Sequence, residues 1–400
     1  MKVQYVQNIE NVSEFVDEVI FKAIKNNASD IHFEPREDGL YIRYRIDGEL
    51  IDFYKISSFN CAIVISRIKI ISNMDITIKR MPQDGRFDFK FENKNVDIRV
   101  SSIAVILGEK IVMRILNSSN FQIDIDNLGL YEDEKKVIEK MIKIPNGMII
   151  ITGPTGSGKS STLYSFIKKL QRESINIVTL EDPVEVRING INQININTSL
   201  GLDFSLGLRS MLRQDFEIGL IGEMRDSDTA NIALRAAITG HLIFTTLHTA
   251  DTVSAIIRLM NLGIENYVIS SAVSAILSQR LVRKLCPYCK SKRKLKTFEK
   301  ILFEKNNLES PEYVYDAKGC EHCNNGYMGR TIILEYLIFD DELKEIINGD
   351  CNSIKLYDYF KRKGNESLFK NGFRKVIDGI TTFDEVNSIL FSLGDLIWRI

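Results

Sequence analysis

The pattern of hydrophobic and polar positions divides the chain into two parts of different character. In the first part, apolar side chains recur at helical spacing in two stretches, and short alternating segments follow each of them. The predicted elements are helices over 12–24 and 61–71, strands over 31–34, 40–46 and 49–54, a turn-rich stop over 81–86, and three strands from Phe87 to Leu116. This pattern is typical of a small α+β domain over residues 1–116.

In the second part, short apolar strands alternate with helices. The predicted strands are 149–152, 175–180, 218–221 and 241–246, with helices near 131–143, 200–213 and 226–239 and short helices beyond 340. Such alternation implies a mostly parallel sheet covered by helices, an α/β fold. The expected domains are 1–116, a polar linker over 117–129, and 130–400, which includes an element at 284–326 and C-terminal helices at 340–400.

Composition narrows the class of protein. Of 400 residues, 44% are hydrophobic, and 52 lysines and arginines nearly balance 53 acidic residues. A nucleic-acid partner is not expected, because such partners require a basic footprint. The start of the chain lacks the apolar core of a signal peptide, and no stretch approaches the ~20 apolar residues that span a bilayer. We therefore expect a cytoplasmic protein whose contact with a membrane is peripheral.

Residues 153–160 fit the phosphate-loop motif G-x-x-x-x-G-K-[ST] between a strand and a helix. Glycines let backbone N–H groups surround phosphate oxygens at the positive end of the helix. Lys159 would reach the β- and γ-phosphates of ATP, and the Ser160 hydroxyl would bind Mg²⁺. A glycine-rich turn that matches by chance is the alternative, and the strand and helix around it argue against that alternative. The predicted nucleotide-binding residues are Gly153, Pro154, Thr155, Gly156, Ser157, Gly158, Lys159, Ser160 and Ser161.

Four of the six cysteines form a C-x-x-C…C-x-x-C pattern, which is typical of a tetrahedral Zn²⁺ site. Four thiolates leave no open coordination position, so the predicted zinc is structural. A redox role is the alternative, and the paired spacing argues against it. The predicted zinc ligands are Cys286, Cys289, Cys320 and Cys323.

Five separated segments together resemble the secretion ATPases of the GspE/PilB group, which power type II secretion and type IV pilus assembly. The likeness spans about residues 28–392. Besides the phosphate loop, its segments are Ala28–Pro35 with Ile42–Gly48, Thr179–Glu185 (the Asp box), Ile221–Asp226 (the Walker B segment) and Thr239–Thr249 (the His box). The resemblance implies a RecA-like P-loop ATPase domain with a small N-terminal α+β, PAS-like domain and a tetracysteine zinc insertion.

The resemblance also implies roles for three side chains at strand ends, where ligands bind in such sheets. Glu181 is expected to orient or deprotonate the attacking water, and Glu223 to hold the Mg²⁺ shell. His248 is expected to contact the γ-phosphate. An isolated acid is usually solvated, but neighbouring strands beside a phosphate loop favour the catalytic interpretation. His241 is second to His248, because it can simply pack locally.

Arginines of the small domain are the remaining candidates. Arg43 and Arg45 share the strand face opposite Leu40 and Ile42, and Arg80 and Arg86 lie in a turn-rich stretch. The resemblance implies that such arginines reach nucleotide at a domain or subunit boundary and act as fingers, without a choice among the four. A solvated basic face is the alternative.

The resemblance further implies a homo-oligomer, a hexameric ring, that works on an inner-membrane platform protein at the inner face of the cytoplasmic membrane. Its expected function is ATP-driven assembly of type IV pilus or type II pseudopilus subunits. The alternatives are a pilus-retraction motor, which in relatives lacks the tetracysteine element, a DNA-uptake pseudopilus ATPase, a nucleic-acid translocase, and a nucleotide-switched scaffold.

Three departures accompany the resemblance. The chain begins almost directly at the small domain, so the additional N-terminal docking domain of many relatives is expected to be absent. Gln214–Glu217 reads Gln-Asp-Phe-Glu in place of the usual Gln-Asp-Pro-Asp, and Ser161 stands where threonine is usual. Neither substitution is expected to abolish catalysis.

Overall fold

The computed structural model describes residues 3–92, 94–116 and 124–390. The chain divides into two compact units, Met1–Phe121 and Gln122–Ile400. The predicted linker 117–129 spans this division, and its residues 117–123 lie outside the described part. At its other end Ile125 and Leu128 are buried. The domain boundaries predicted from the sequence stay a prediction.

The first unit is a seven-stranded sheet whose apolar face packs with two helices in one core. Its strand order is β1-β4-β3-β2-β7-β6-β5, antiparallel except for the β1–β4 pair. Alternation along each strand places every second side chain in this core and the others on the opposite, polar face. The elements are β1 Gln4–Val6, α1 Val12–Lys25, β2 Asp30–Arg36, β3 Gly39–Ile46, β4 Glu49–Ile56, α2 Cys61–Ile71, β5 Gln83–Phe91, β6 Lys94–Val105 and β7 Gly108–Leu116.

The prediction of a turn-rich stop over 81–86 was wrong in its second half, because β5 already begins at Gln83. Gly85 lies inside this strand, where an added Cβ would stand 2.2 Å from the carbonyl oxygen of Ser72. The glycine is therefore explained by the close approach of the end of α2, and not by a turn.

The second unit is built on a seven-stranded sheet of order β10-β9-β11-β12-β8-β13-β16. All pairs are parallel except the last, in which β16 runs antiparallel to β13. Helices follow the strands in alternation, except between β9 and β10. The elements as far as β13 are α3 Glu132–Met141, β8 Gly147–Thr152, α4 Lys159–Leu170, β9 Ile177–Glu181, β10 Asn192–Asn195, α5 Phe204–Met211, β11 Ile218–Ile221, α6 Ser227–Ile238, β12 Leu242–Leu247, α7 Thr252–Asn261, α8 Asn266–Ala272 and β13 Val273–Leu285.

The four strands predicted from the sequence correspond to β8, β9, β11 and β12, and they lie side by side in the sheet. Three strands, β10, β13 and β16, were not predicted. β10 is short and polar, and it pairs with β9 at the edge of the sheet. The carboxyl ends of the four predicted strands meet at one edge, which is where the candidate site lies.

The remaining elements form a small insertion and a helical C-terminal region. In the insertion a two-stranded antiparallel ribbon carries one helix. The last helices pack with β13 and β16 in a separate apolar cluster around Phe303, Phe373 and Phe383. These elements are β14 Ser291–Lys294, α9 Thr297–Lys305, β15 Tyr313–Asp316, β16 Tyr327–Ile338, α10 Asp341–Asn348, α11 Ser353–Arg362, α12 Leu368–Ile377 and α13 Phe383–Leu390. None of the helices in the described ranges has the length and apolar character needed to cross a membrane.

Candidate active site

The phosphate loop runs from Gly153 to Lys159, between the buried strand β8 and the helix α4. Gly158 has a φ of 87°, in the left-handed region that favours glycine, and it forms the N-cap of α4. The unpaired N–H groups of the first helical turn and the positive end of the helix dipole therefore face the position that a phosphate group would take.

The Lys159 side chain folds back over this loop. Its ammonium group donates hydrogen bonds to the carbonyl oxygens of Gly153 and Pro154, at 2.8 and 3.0 Å. Burial lowers the pKa of Lys159 to about 8, and the nearby Glu223 carboxylate opposes that shift. The lysine is thus held at the loop, and it is still mainly protonated at neutral pH.

Glu181, the last residue of β9, is 5% exposed, and protein donors occupy both of its carboxylate oxygens. Thr179 donates at 2.5 Å and Gln193 at 3.3 Å to one oxygen, and the Tyr164 hydroxyl donates to the other. Burial and this carboxylate raise the pKa of Tyr164. The acid that was predicted to orient water is therefore engaged within the protein.

Glu185, in the same Asp box, was not among the residues predicted from the sequence. Its carboxylate lies 3.4 Å from the Ser160 hydroxyl, and its backbone N–H donates to the Tyr164 hydroxyl at 3.3 Å. Tyr164 thus connects Glu181 to the loop that carries Glu185. Glu185 is four residues beyond Glu181, past the end of β9, and only the path of this loop brings it to the phosphate loop.

Glu223 follows β11, and His248 follows the neighbouring strand β12. The His248 Nε2 atom lies 3.3 Å from a Glu223 carboxylate oxygen, and the Arg225 guanidinium contacts the other oxygen. The charge of Glu223 also acts on Lys159. The structure therefore brings together the phosphate loop, the Walker B acid and the second His-box histidine.

His241 lies apart from this group. Its ring stands 4.6 Å from the ring of Phe216, and its Nδ1 atom lies 3.1 Å from the carbonyl oxygen of Ala236. These contacts are the local packing that the sequence had left open for this residue.

The donor set at the phosphate loop fits a nucleotide with Mg²⁺. The Ser160 hydroxyl and the carboxylates of Glu185 and Glu223 offer only oxygen atoms, which are the ligands that Mg²⁺ prefers. Backbone N–H groups and the Lys159 ammonium supply the positive potential that phosphates need.

The four predicted zinc ligands converge, and they are the metal-ligating group found among the described residues. The Sγ–Sγ distances are 3.9 Å for Cys286–Cys320, 3.7 Å for Cys289–Cys323 and 3.6 Å for Cys320–Cys323. Tetrahedral Zn–S bonds of about 2.3 Å place sulfurs about 3.8 Å apart, so the cluster fits Zn²⁺. His322 is half-exposed and rests against Tyr288, outside the thiol cluster.

Arg43 and Arg45 lie in the first unit, on the polar face of its sheet. Arg43 pairs with Asp52 at 2.8 Å and with Glu34 at 3.2 Å. Burial opposes the shift, but the Lys110 ammonium and the Arg43 guanidinium lower the pKa of Glu34 to about 2. Arg45 donates to the carbonyl oxygen of Gly48 at 2.8 Å and lies 3.7 Å from Asp30. Both arginines therefore have partners within the same sheet.

Strand register creates a second basic feature on this sheet; Arg86 was a candidate from the sequence, and its two partners were not. Arg86 is paired with Arg99 across β5 and β6, and Arg99 with Arg114 across β6 and β7. Arg114 in turn faces Asp30, which it contacts at 3.0 Å. We call Arg86, Arg99 and Arg114 the arginine row. Three cationic residues therefore occupy adjacent register positions on this sheet, and Asp30 is a partner of Arg114.

The sheet topology and the convergence of Lys159, Ser160, Glu185, Glu223 and His248 define a P-loop ATPase of the α/β, RecA-like class. The family model described as Type II/IV secretion system protein matches residues 6–388. The chain belongs to this family.

Curated relatives support the same assignment. The putative type II secretion system protein E of Escherichia coli K12 is 40% identical over 376 residues, which cover 94% of this chain and 76% of that protein. The type IV pilus assembly ATPase PilB of Pseudomonas aeruginosa is 41% identical over 381 residues, which cover 94% of this chain and 67% of that protein. The type II secretion system ATPase E of Vibrio cholerae is 41% identical over 376 residues, with 94% and 74% covered. The resemblance to the GspE/PilB group is thereby confirmed.

Solved structures show the same fold. The X-ray structure of the Legionella pneumophila ATPase DotB matches with a TM-score of 0.72 at 20% identity, over 98% of this chain and 99% of that chain. The crystal structure of the pilus retraction motor PilT with bound ADP matches with a TM-score of 0.63 at 24% identity, over 96% of this chain and 98% of that chain. Together with the cysteine cluster, these likenesses confirm the predicted fold class.

Proposed function

We propose that this chain is an ATP-hydrolysing motor that drives the assembly of type IV pilus or type II secretion pseudopilus subunits at the cytoplasmic membrane. The observation that carries the proposal is the convergence of the phosphate loop with Glu185, Glu223 and His248 in a member of the secretion ATPase family. Its named relatives are assembly and secretion ATPases.

The side chains would divide the chemistry as follows. Lys159 and the loop N–H groups bind the β- and γ-phosphates, and Ser160 and Glu223 hold Mg²⁺, which neutralises phosphate charge when bound. Glu185, beside Ser160, is placed to orient the attacking water. Glu181 accepts a hydrogen bond from the Tyr164 hydroxyl, and that hydroxyl accepts one from the Glu185 backbone N–H. Glu181 would therefore help to position Glu185 through Tyr164.

The remaining assignments extend the same proposal. His248, in contact with Glu223, would respond to loss of the γ-phosphate. Arg43 and Arg45, or the arginine row, would supply countercharge to the transition state. Zn²⁺ would stabilise the insertion at 284–326 through its four thiolates. The chain would work as a hexameric ring, bound peripherally to the inner face of the membrane through a platform protein.

A strain that carries Lys159→Ala in the chromosomal gene tests the function. An assembly motor requires ATP turnover, so this strain should make prepilin but lose surface fibres or pseudopilus-dependent secretion. Electron microscopy and a secretion assay measure both. Cys351→Ser, at a half-buried thiol outside the zinc cluster, is the control and should leave the fibres unchanged.

The same strain separates the alternatives. Fibres that persist and fail to shorten would indicate a retraction motor. Intact fibres with loss of DNA uptake would indicate a DNA-uptake pseudopilus ATPase. Wild-type fibre assembly by a folded Lys159→Ala protein would indicate a scaffold and would contradict the proposal. Prepilin and platform genes beside this gene would identify the machine.

A further inference from the structure

Gln279 is a fully buried polar residue next to the phosphate loop. It lies in β13, the strand that pairs with β8, and the register joins the preceding residue, Ser278, to Thr152 at the end of β8. Gln279 therefore stands beside the point where the chain leaves β8 for the loop. Its side chain is 0% exposed, and its Nε2 atom donates a 2.7 Å hydrogen bond to the carbonyl oxygen of Ser157.

This hydrogen bond determines the orientation of one peptide of the loop. The Ser157 carbonyl and the Gly158 N–H belong to the same planar trans peptide, so they point in opposite directions. A carbonyl held against β13 directs the Gly158 N–H away from β13. In phosphate loops, N–H groups that point into the loop are the groups that bind phosphate oxygens.

Two further features tie Gln279 to the loop. A Cβ added at Gly158 would stand 3.3 Å from the Gln279 Nε2 atom, so the amide packs directly against this glycine. The Gln279 Oε1 atom and the Ser157 hydroxyl are both buried, and neither has a hydrogen-bond partner in the described part of the chain. Buried polar atoms are rarely left unpaired. A hydroxyl donor and an amide acceptor are complementary, and a small shift of the loop would pair them.

We propose that Gln279 is a positioning residue for the phosphate loop: its carboxamide holds the Ser157–Gly158 peptide with the N–H directed at the phosphates of ATP. When phosphate binds, the Ser157 hydroxyl pairs with the Gln279 carbonyl oxygen. The inference rests on the proposed ATP-binding function.

The test compares two variants that remove the donor at nearly constant size and add no charge, Gln279→Met and Gln279→Leu. Both should bind ATP and ADP about 10-fold or more weakly, since a hydrogen bond to a charged phosphate is no longer oriented. The thermal midpoint without nucleotide should fall modestly, because the Ser157 carbonyl oxygen loses its donor, and the rise in midpoint on adding ATP should also be lost. A purely structural role would lower both midpoints together and leave the affinity unchanged.

Gln171→Met is the matched control, because the Gln171 amide also donates to a backbone carbonyl, that of Asn189, at the far end of α4. It should bind ATP like the wild type. ATP affinity within about twofold of wild type in both Gln279 variants would overturn the inference. Failure of both to fold, with Gln171→Met folded, would also overturn it in favour of a structural role. A wild-type protein that binds no ATP would contradict the proposed function instead.

Discussion

Lys159 shows how burial prepares a side chain for phosphate binding. Its pKa is lowered to about 8, chiefly by burial. The charged form binds phosphate, and the free protein loses that charge as the pH rises through this value. ATP affinity should therefore be constant below about pH 8 and fall by about tenfold per pH unit above it.

Titrations with ATP between about pH 7.5 and 9.5 measure this effect, since phosphate protons with a pKa of about 6 are already lost there. Binding should also take up a proton near pH 8.5, which calorimetry in two buffers detects. Lys159→Met should bind weakly with no pH dependence over this range. Unchanged wild-type affinity to about pH 9.5 would contradict the lowered pKa.

Glu185 and Glu181 are predicted to contribute to hydrolysis in different ways. Glu185→Gln should still bind ATP and hydrolyse it about 10²- to 10⁴-fold more slowly, since the acid beside Ser160 is lost. Glu181→Gln should lose less turnover and more stability, because its amide would face donors from Thr179 and Tyr164.

Single-turnover hydrolysis and thermal unfolding of the two variants separate these effects. Glu217→Gln is a control at an acid whose carboxylate accepts from the Asn176 backbone, on the opposite end of the strands. Full turnover in Glu185→Gln together with loss in Glu181→Gln would return the water-orienting role to Glu181.

At the scale of single residues, the local sequence motifs were the part of the site that could be predicted. The phosphate loop is contiguous in sequence, and strand-end logic pointed to Glu223 and His248, which the structure brings together. Glu185 was missed because its position depends on the loop that follows β9 and on the contact with Tyr164. Its signal was present in the same Asp box, but spacing alone does not say which acid faces the loop.

The zinc insertion is the element whose stability should depend on a metal. Its own apolar core is small, since Leu295, Phe303 and Val314 belong to a cluster that is shared with the last helices. Metal analysis should find about one Zn²⁺ per chain. Cys286→Ser should lose the metal and expose 284–326 to protease, while ATP binding is largely retained.

Cys351→Ser provides the control, because Cys351 is a half-buried thiol outside the cluster. It should retain the zinc and the protease resistance of the wild type. Protein purified under reducing conditions without zinc, or a Cys286→Ser protein that keeps its metal, would contradict the assignment.

Strand prediction succeeded where strands were short, apolar and bounded by turns, as for β8, β11 and β12. It failed for β13 and β16, which are 13 and 12 residues long and mix apolar with charged positions, as in Arg280 and Arg283. Whether such a segment forms a strand depends on its neighbours in the sheet, and β13 is hydrogen-bonded to β8 on one side and to β16 on the other. The error matters for function, because β13 carries Gln279.

At the scale of the whole molecule, the arginines of the first unit test how its sheet takes part in hydrolysis. Arg43 is paired with two carboxylates, and the arginine row places three arginines at adjacent register positions, with Arg114 paired with Asp30. We expect Arg99→Ala and Arg114→Ala to reduce turnover strongly, by up to about 10³-fold for a complete finger role. Arg43→Ala and Arg45→Ala test the original prediction in the same assay.

ATP affinity, turnover and oligomeric state of the four variants are compared. An arginine that is merely solvated changes stability by about ±0.5 kcal/mol and leaves turnover alone. Wild-type turnover in all four variants would show that these arginines take no part in hydrolysis and are solvated or structural. The row was missed from the sequence because only strand register, which depends on long-range pairing, sets its residues side by side.

The most direct test of the account is steady-state phosphate release from Mg-ATP by the purified wild-type chain and by Lys159→Ala, measured side by side. The wild type should turn over ATP, and the folded variant should be slower by about 10²-fold or more, because the loop loses its cation. No phosphate release by the wild type, or wild-type turnover by a folded Lys159→Ala protein, would contradict the assignment of this site as the ATPase centre.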